Sequence, residues 1–567
     1  MELVEKPEKK DQEIELATPW LKNYEEGVPP HLEYPQISLP SLWKETAASF
    51  RENVAIIFGE KKFTYQDLKK NVDALTGALL ALGVKKGDRV GLLMPNCPPY
   101  VMAYQAILQA GAIVVNLNPL AVERELLFFL KDAQMSTIIV ADYLFPRLTS
   151  LKKDSYLEHI LVACLKDWGA PPEPSSEKKI RILDLPAQGI FALESLLAKH
   201  MHGSLPKIEI CPEDEAVLQY SGAIAEGTRA VVLTHGNLVA NTCQLISWAV
   251  RARKGKEVFL SVLPFFHVYG MAVAMNMPLS LAATLVILPR FEVRQALLAI
   301  RRYQPTFFPG VPPMFVALAQ EKDAEKFNLS SLRVCYSGGA PLAIEVLEEF
   351  EKLTGARITE GYGLAEASPA THCNPIFGKR KLGSVGLPYP DTLAKIVDLE
   401  TGEKVLAPGE VGELCLKGPQ VMKGYWKHPE ETAMTIRDGW LYTGDIARMD
   451  EEGYFYILDL KKDMIIAGGF NIYPKDIDQV LLEHPKIAEA VAVGIPDRYR
   501  GQTVKAYVVL KPGQTASEEE ILNFCRQNLA KYKVPTQVEF RTHLPKTPSG
   551  KILRRMLRQE ALEKNKK

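Results

Sequence analysis

Residues 64–83 read TYQDLKKNVDALTGALLALG, and residues 88–96 follow as DRVGLLMPN. In the first stretch Leu68, Val72, Leu75, Leu79 and Leu82 recur at three- and four-residue spacing, which gathers them on one face of a helix. Thr64 suits the N-cap, because its hydroxyl can accept from a backbone N–H that has no partner within the helix. Gly83 suits the C-terminal stop. The second stretch holds a short apolar run, the pattern of a strand covered on both faces. The alternation continues with a helix in PPYVMAYQAILQAGA (98–112) and a strand in IVVNLN (113–118). A helix from Glu123 to Ala133 and a strand in STIIVAD (136–142) come next. Repeated strand–helix units predict an α/β fold of mostly parallel, helix-covered sheets. They put ligand sites at the loops beyond the strand carboxyl ends.

At 567 residues the chain is too long for one core, so several subdomains are expected. Residues 1–40 are polar and Pro-rich, the character of an arm over the surface. The strand–helix units predict a large domain over 41–459. The weakly patterned stretch 167–212 reads as an insertion within it. A lysine-rich connector, LDLKKDMI (458–465), marks a hinge near 459–463. Beyond it, 460–567 predicts a small α+β domain. Its helices fall in PKDIDQVLLEH and EEEILNFCRQNLA, and its strands in AEAVAVGI, TVKAYVVLK and QVEFRT.

Composition is that of an ordinary globular protein, with 47% hydrophobic and 24% charged residues. Lys+Arg and Asp+Glu are equal at 68 each, so bulk charge gives no reason to expect nucleic-acid binding. The eight cysteines form no C-x-x-C pair, which argues against zinc and dithiol chemistry. The N-terminus is charged from Glu2 and has no apolar core, which predicts no secretory signal and a reducing, cytoplasmic setting. Met271–Leu288 is nearly long enough to span a membrane, but Asn276, Pro278 and Ser280 interrupt it. It predicts a buried helix and then a strand ending at Pro289. Contact with a membrane surface is left open.

Five motifs carry the functional reading, through their order and spacing. VLPFFHVYGM (262–271) sets His267 in an apolar run. YSGGAPL (336–342) and EGYGLAEASP (360–369) follow. GWLYTGD (439–445) begins a run that continues through the connector to AGGFNIYP (467–474). LPKTPSGKILRR (544–555) centres on Lys551. From about residue 40 to 560 this series resembles the adenylate-forming superfamily, and is similar above all to bacterial long-chain fatty acyl-CoA ligases.

That resemblance implies ATP, Mg2+ and CoA as co-substrates and cofactor, with a fatty or other carboxylic acid as substrate. A carboxylate attacks the α-phosphorus of ATP, releasing pyrophosphate and leaving an acyl-adenylate. The small domain then rotates, and the CoA thiol attacks the acyl carbonyl. The first step brings an anion to a polyanion, so positive charge must offset the repulsion. Lys551 is implied there. Glu366 is the implied catalytic carboxylate and Mg2+ ligand, since magnesium prefers hard oxygen. Asp445 can accept from two ribose hydroxyls. Tyr362 can stack on adenine, flanked by Gly361 and Gly363, with Gly338, Gly339, Ala340 and Pro341 giving a backbone edge. His267 is expected between the nucleotide and acyl regions. FFPGVPPMFVAL (307–318) resembles an acyl-pocket wall. Gly468 and Gly469 allow the close backbone approach a pantetheine tunnel needs.

The stretch QYSGAIAEGTRAVVLTH (219–235) aligns with the family's phosphate loop at both ends. Ser221, Gly222 and Arg229 are the implied phosphate contacts. Its centre departs from the family pattern. Ile224 and Ala225 replace hydroxyl residues, and Glu226 replaces a glycine. A carboxylate there repels phosphate unless a cation lies between. Ala365 and Leu460 also replace, respectively, a hydroxyl and an arginine around the nucleotide. The expected activity is therefore an ATP-dependent acyl-CoA ligase, weakened at its phosphate end. A pseudo-synthetase that binds acyl groups, adenylate or CoA, and an acyl transferase using a pre-activated donor, stand beside it.

Overall fold

The computed structural model describes residues 18–169, 189–221, 228–460, 464–545 and 552–564. The quoted helix runs from Tyr65 to Ala81, and Thr64 and Asp67 form a reciprocal capping box at its start. Gly83 follows at φ +89°, a conformation that glycine adopts without a side-chain clash. The next strand is Arg89–Leu93, and the following helices and strands occupy Pro98–Gln109, Ile113–Asn116, Glu123–Asp132 and Thr137–Ala141.

Among the described residues the strands form four sheets. In the first, Glu215–Ser221, Ile113–Asn116, Arg89–Leu93, Thr137–Ala141, His159–Ala163 and Ile190–Ala192 lie side by side and parallel. Arg229–Thr234 and Gly424–Tyr425 add antiparallel strands at its edge. The second sheet has a parallel centre made of Arg357–Gly363, Val334–Ser337, Phe307–Gly310, Val258–Ser261, Thr284–Ile287 and Val54–Phe58. Strands Leu393–Val397, Gly412–Lys417, Trp440–Met449 and Phe455–Leu460 make an antiparallel β subdomain. The fourth sheet belongs to the small domain and pairs Ile487–Asp497 with Gly501–Leu510.

The structure adds detail to two readings of the sequence. The stretch 167–212 is not all irregular: Ile190–Ala192 is an edge strand, and Leu193–His200 is a helix packed on Tyr65–Ala81. Its leucines Leu193, Leu196 and Leu197 are buried, and a helix this short shows too little periodicity to stand out in the sequence. The apolar run 271–288 does hold a buried helical segment and then a strand, Thr284–Ile287, but the helix widens into a π turn at Ala272–Asn276. Among the described residues no helix is long and apolar enough to cross a membrane. At the N-terminus Trp20 is buried, Tyr24 donates to the Pro388 carbonyl at 2.7 Å, and Asn23 donates to the Glu452 carbonyl at 2.8 Å.

The small domain docks on the large one through charge. Lys533 Nζ lies 2.6 Å from Glu125 of the large domain and 3.0 Å from Asp476 of its own, and all three side chains are buried. Burial alone would lower the Lys533 pKa, but Tyr532, Glu125 and Asp476 outweigh it and hold the ammonium charged. Removing one member of a buried pair leaves the other charge without compensation, at about 3–5 kcal/mol. Lys533→Met should therefore lower the thermal midpoint by several degrees and expand the particle in small-angle scattering. Adding Glu125→Gln should recover part of both changes. Unchanged scattering would mean that the triad does not hold the two domains together.

Candidate active site

Parallel strands send their carboxyl ends to one edge, and here the edges of both large sheets open into a shared cavity of about 3050 Å³. Asn116 and Ser221 reach it from the first sheet. Gly310 leads to Val311, Ser337 to Gly338, and Tyr362 lies near the end of its strand on the second. Of the residues expected at the site, Ser221, Arg229, His267, Gly338, Gly339, Ala340, Pro341, Gly361, Tyr362, Gly363, Glu366, Asp445, Gly468 and Gly469 all line this cavity. Gly222, Ile224, Ala225, Glu226 and Lys551 lie outside the described residues. Ala365 is on the wall, and the backbone of Leu460 pairs in register with Asp445.

The Tyr362 hydroxyl donates to Asp445 Oδ2 at 2.5 Å, joining the second sheet to the β subdomain. Burial, and then the Asp445 charge, raise the Tyr362 pKa, so the phenol keeps its proton. Gly363 has no room for a side chain, because a Cβ would lie 2.1 Å from the Pro369 carbonyl. Gly339 sits at φ +82°, and the peptides from Gly338 to Pro341 line the wall beside Tyr362. A flat ring, a carboxylate and a backbone edge at one place have the donor and acceptor character that an adenosine needs.

Glu366 follows this wall, and its Oε1 accepts from the Tyr425 hydroxyl at 3.0 Å. The sequence reading missed Tyr425, which stands on the short strand Gly424–Tyr425 and reaches the site only by pairing with Arg229–Thr234. The run KGYW (423–426) gave no local signal of that pairing. Arg229, read as a phosphate contact, pairs with Glu431 and lies 5.8 Å from the centre of the Tyr425 ring. A hard carboxylate oxygen at the cavity wall fits Mg2+, which takes one or two protein carboxylates and completes its shell with water and phosphate.

His267 caps the short helix Val268–Met271, and its Nδ1 accepts from the Tyr269 N–H at 3.2 Å. Burial holds its pKa down at about 4, so the ring is neutral near pH 7. With Nδ1 an acceptor, the proton belongs on Nε2. His372, which the sequence reading also missed, packs against Tyr362 with ring centres 5.9 Å apart, and burial pushes its pKa to about 3.

The small domain closes the cavity with the hairpin Ile465–Ile472. Its turn holds Gly468 at φ +61° and Gly469 at φ +84°, and a Cβ on Gly469 would lie 3.1 Å from Val311 of the large domain. Phe470 stacks on Tyr532 at 4.5 Å, and the Tyr532 hydroxyl meets Asn118 of the large domain at 3.4 Å. The glycine turn is thus pressed against the large domain at the cavity.

Comparison with known proteins follows the same two-part division. Residues 43–426 match the AMP-binding enzyme family, and residues 476–551 match the AMP-binding enzyme C-terminal domain. The chain is 46% identical to a long-chain-fatty-acid–CoA ligase of Bacillus subtilis, over 97% of this chain and 99% of that one. Among solved structures, a double mutant of o-succinylbenzoate CoA synthetase from Bacillus subtilis, bound with its product analogue OSB-NCoA, is 27% identical. It covers 93% of this chain and 99% of its own, with a TM-score of 0.75. ATP-bound MatB from Rhodopseudomonas palustris is 28% identical over 92% and 99%, with a TM-score of 0.66. Matched in both domains and along nearly its whole length, the chain belongs to the AMP-binding enzyme family.

Proposed function

We propose that this protein is an ATP-dependent acid–thiol ligase that converts a fatty acid to its acyl-CoA through an acyl-adenylate. The observation that carries the proposal is the convergence of the Tyr362–Asp445 pair, Glu366, His267 and the Gly468–Gly469 turn on one cavity. Asp445 takes the ribose hydroxyls and Tyr362 the adenine face, against the backbone of Gly338–Pro341. Glu366 would hold Mg2+, which supplies positive charge to the phosphates. Its Tyr425 partner fixes one carboxylate oxygen and leaves the other for the ion.

His267 remains neutral and offers Nε2–H to the reacting carboxylate, so it donates a hydrogen bond without adding a charge. Lys551 supplies the charge that lets carboxylate and α-phosphate meet, on the strength of its place in the PKTPSGK motif. In the docked pose the glycine turn borders the cavity, and its lack of side chains would let its backbone lie close to a pantetheine arm. Val311 and Met314, beside apolar Val262, Leu263 and Val273, give the cavity a wall suited to an acyl chain. Working at a membrane surface fits such a substrate, with the protein body remaining outside the bilayer.

Labelled ATP, Mg2+ and acids of increasing chain length test the reading directly. Pyrophosphate should appear only with an acid present, most strongly with long chains, and AMP and acyl-CoA should appear together when CoA is added. No release with any acid would overturn the ligase reading. Lys551→Ala should cut adenylation about 10²–10³-fold while sparing thioester formation from supplied acyl-adenylate. Restoring the loop with Ile224→Thr, Ala225→Thr and Glu226→Gly should raise ATP turnover about tenfold or more, because each hydrogen bond to a charged group contributes roughly 1.5–3 kcal/mol. An unchanged rate would mean that the loop is not limiting. With a depressed His267 pKa, the acid limb of kcat should show no break near pH 6.5 from this residue. A break there that disappears in His267→Gln would contradict the neutral-donor role.

A further inference from the structure

The segment Leu263–Tyr269 bridges the two large sheets, and His267 sits near the end of that bridge. On the first-sheet side it is held by two amide side chains. Asn96 lies just beyond the strand Arg89–Leu93 and is 2% exposed. It donates to the Leu263 carbonyl at 2.8 Å and accepts from the Phe265 N–H at 2.8 Å. One amide thus grips both sides of Pro264, which has no N–H of its own. Gln219, from Glu215–Ser221, donates to the Phe266 carbonyl at 3.2 Å, on the residue next to His267.

Gln219 is itself fixed. Its Oε1 accepts from Asn116 at 3.1 Å, and Asn116 Oδ1 accepts from the buried Tyr100 hydroxyl at 2.6 Å. On the second-sheet side the Tyr269 hydroxyl reaches the carbonyls of Gly310 at 3.3 Å and Tyr336 at 3.2 Å. Between the two anchorages the chain turns sharply. The His267 N–H donates to the Pro264 carbonyl at 3.1 Å, and a Cβ on Gly270 would lie 2.1 Å from that carbonyl. The Tyr269 N–H that fixes the imidazole tautomer is part of this turn.

We propose that Asn96 and Gln219 are positioning residues for His267. Their amides set the Leu263–Phe266 backbone, which in turn sets where the imidazole lies and which nitrogen carries its proton. Both side chains are buried, uncharged and spent on backbone groups of this one segment, with Asn116 as the further partner of Gln219. Gln219 also lies two residues before Ser221, so the strand that enters the phosphate-loop stretch is tied to the histidine at the acyl side. The inference rests on the ligase reading for its kinetic consequence and on geometry alone for the tautomer.

The test compares Gln219→Leu, the nearly isosteric Gln219→Glu, and Asn96→Asp in the full-length protein, each alone and combined with His267→Ala. Gln219→Glu and Asn96→Asp each replace the amide donor with a carboxylate oxygen at almost unchanged volume. Each single variant should lower kcat for acid-dependent pyrophosphate release about 10- to 100-fold, with KM for ATP within about twofold. In the His267→Ala background the same changes should cost little more, because residues acting through one group are not additive. Losses that add in full would assign the amides a role independent of His267 and overturn the proposal, as would an unchanged kcat. A second readout needs no turnover. In 15N-histidine-labelled protein, the signal missing from His267→Ala should report a proton on Nε2, and it should shift or average toward the other tautomer in Gln219→Leu. An unmoved signal there would overturn the proposal even in an active ligase. The expected shift in a protein inactive with every acid would leave the positioning intact and refute the ligase reading instead.

Discussion

Parallel pairing imposes the constraint on which the rest of this molecule depends. Strands that run the same way must return through crossovers, so all their carboxyl ends open on one edge. Two such sheets share a continuous buried core from Ile56 and Phe58 through Val90 and Leu92 to Val217 and Leu233. Their open edges therefore meet, and the cavity between them collects residues far apart in the chain. Asn96, Gln219, His267, Gly338 and Tyr362 come from five different strand ends or the loops beyond them. No local element of this protein makes a site alone. The β subdomain completes it by carrying Asp445 to the Tyr362 hydroxyl.

The small domain then gives the site its state. With Lys533 held between Glu125 and Asp476, the hairpin bearing Gly468 and Gly469 faces the cavity. That pose suits the second half of the proposed reaction, when a thiol must reach the acyl carbonyl alongside this hairpin. A buried ion triad suits a docking surface, because it is strong only when its geometry is complete and becomes costly when one partner leaves. It thereby favours one defined pose over a range of loosely docked ones.

Much of this was legible from residues alone. Periodicity and capping gave the helix Tyr65–Ala81 down to Thr64, and the helices and strands expected in the small domain came out in their observed order, though the hairpin Ile465–Ile472 before them was not read. Ser221, His267, the Gly338–Pro341 peptides and Tyr362 line one cavity because they lie at or just beyond the ends of parallel-sheet strands, where α/β folds put their ligands, while Asp445 and the Gly468–Gly469 turn reach it from antiparallel sheets. The reading failed where a short element has no period of its own. Leu193–His200 is eight residues long and is helical because it packs on another helix. Tyr425 escaped for a related reason, since a two-residue strand has no pattern to read.

The sequence by itself determined the fold class, the two-domain order and the kinds of side chain available for chemistry, because these follow from local periodicity, caps and short motifs. Tertiary structure alone decided which groups are partners. It joined Tyr362 to Asp445 across 83 residues and Gln219 to Phe266 across 47. It set Arg229 against Glu431, and it made His267 neutral by surrounding it with protein. Hydrogen-bond geometry and desolvation depend on distance in space, and separation along the chain does not encode it.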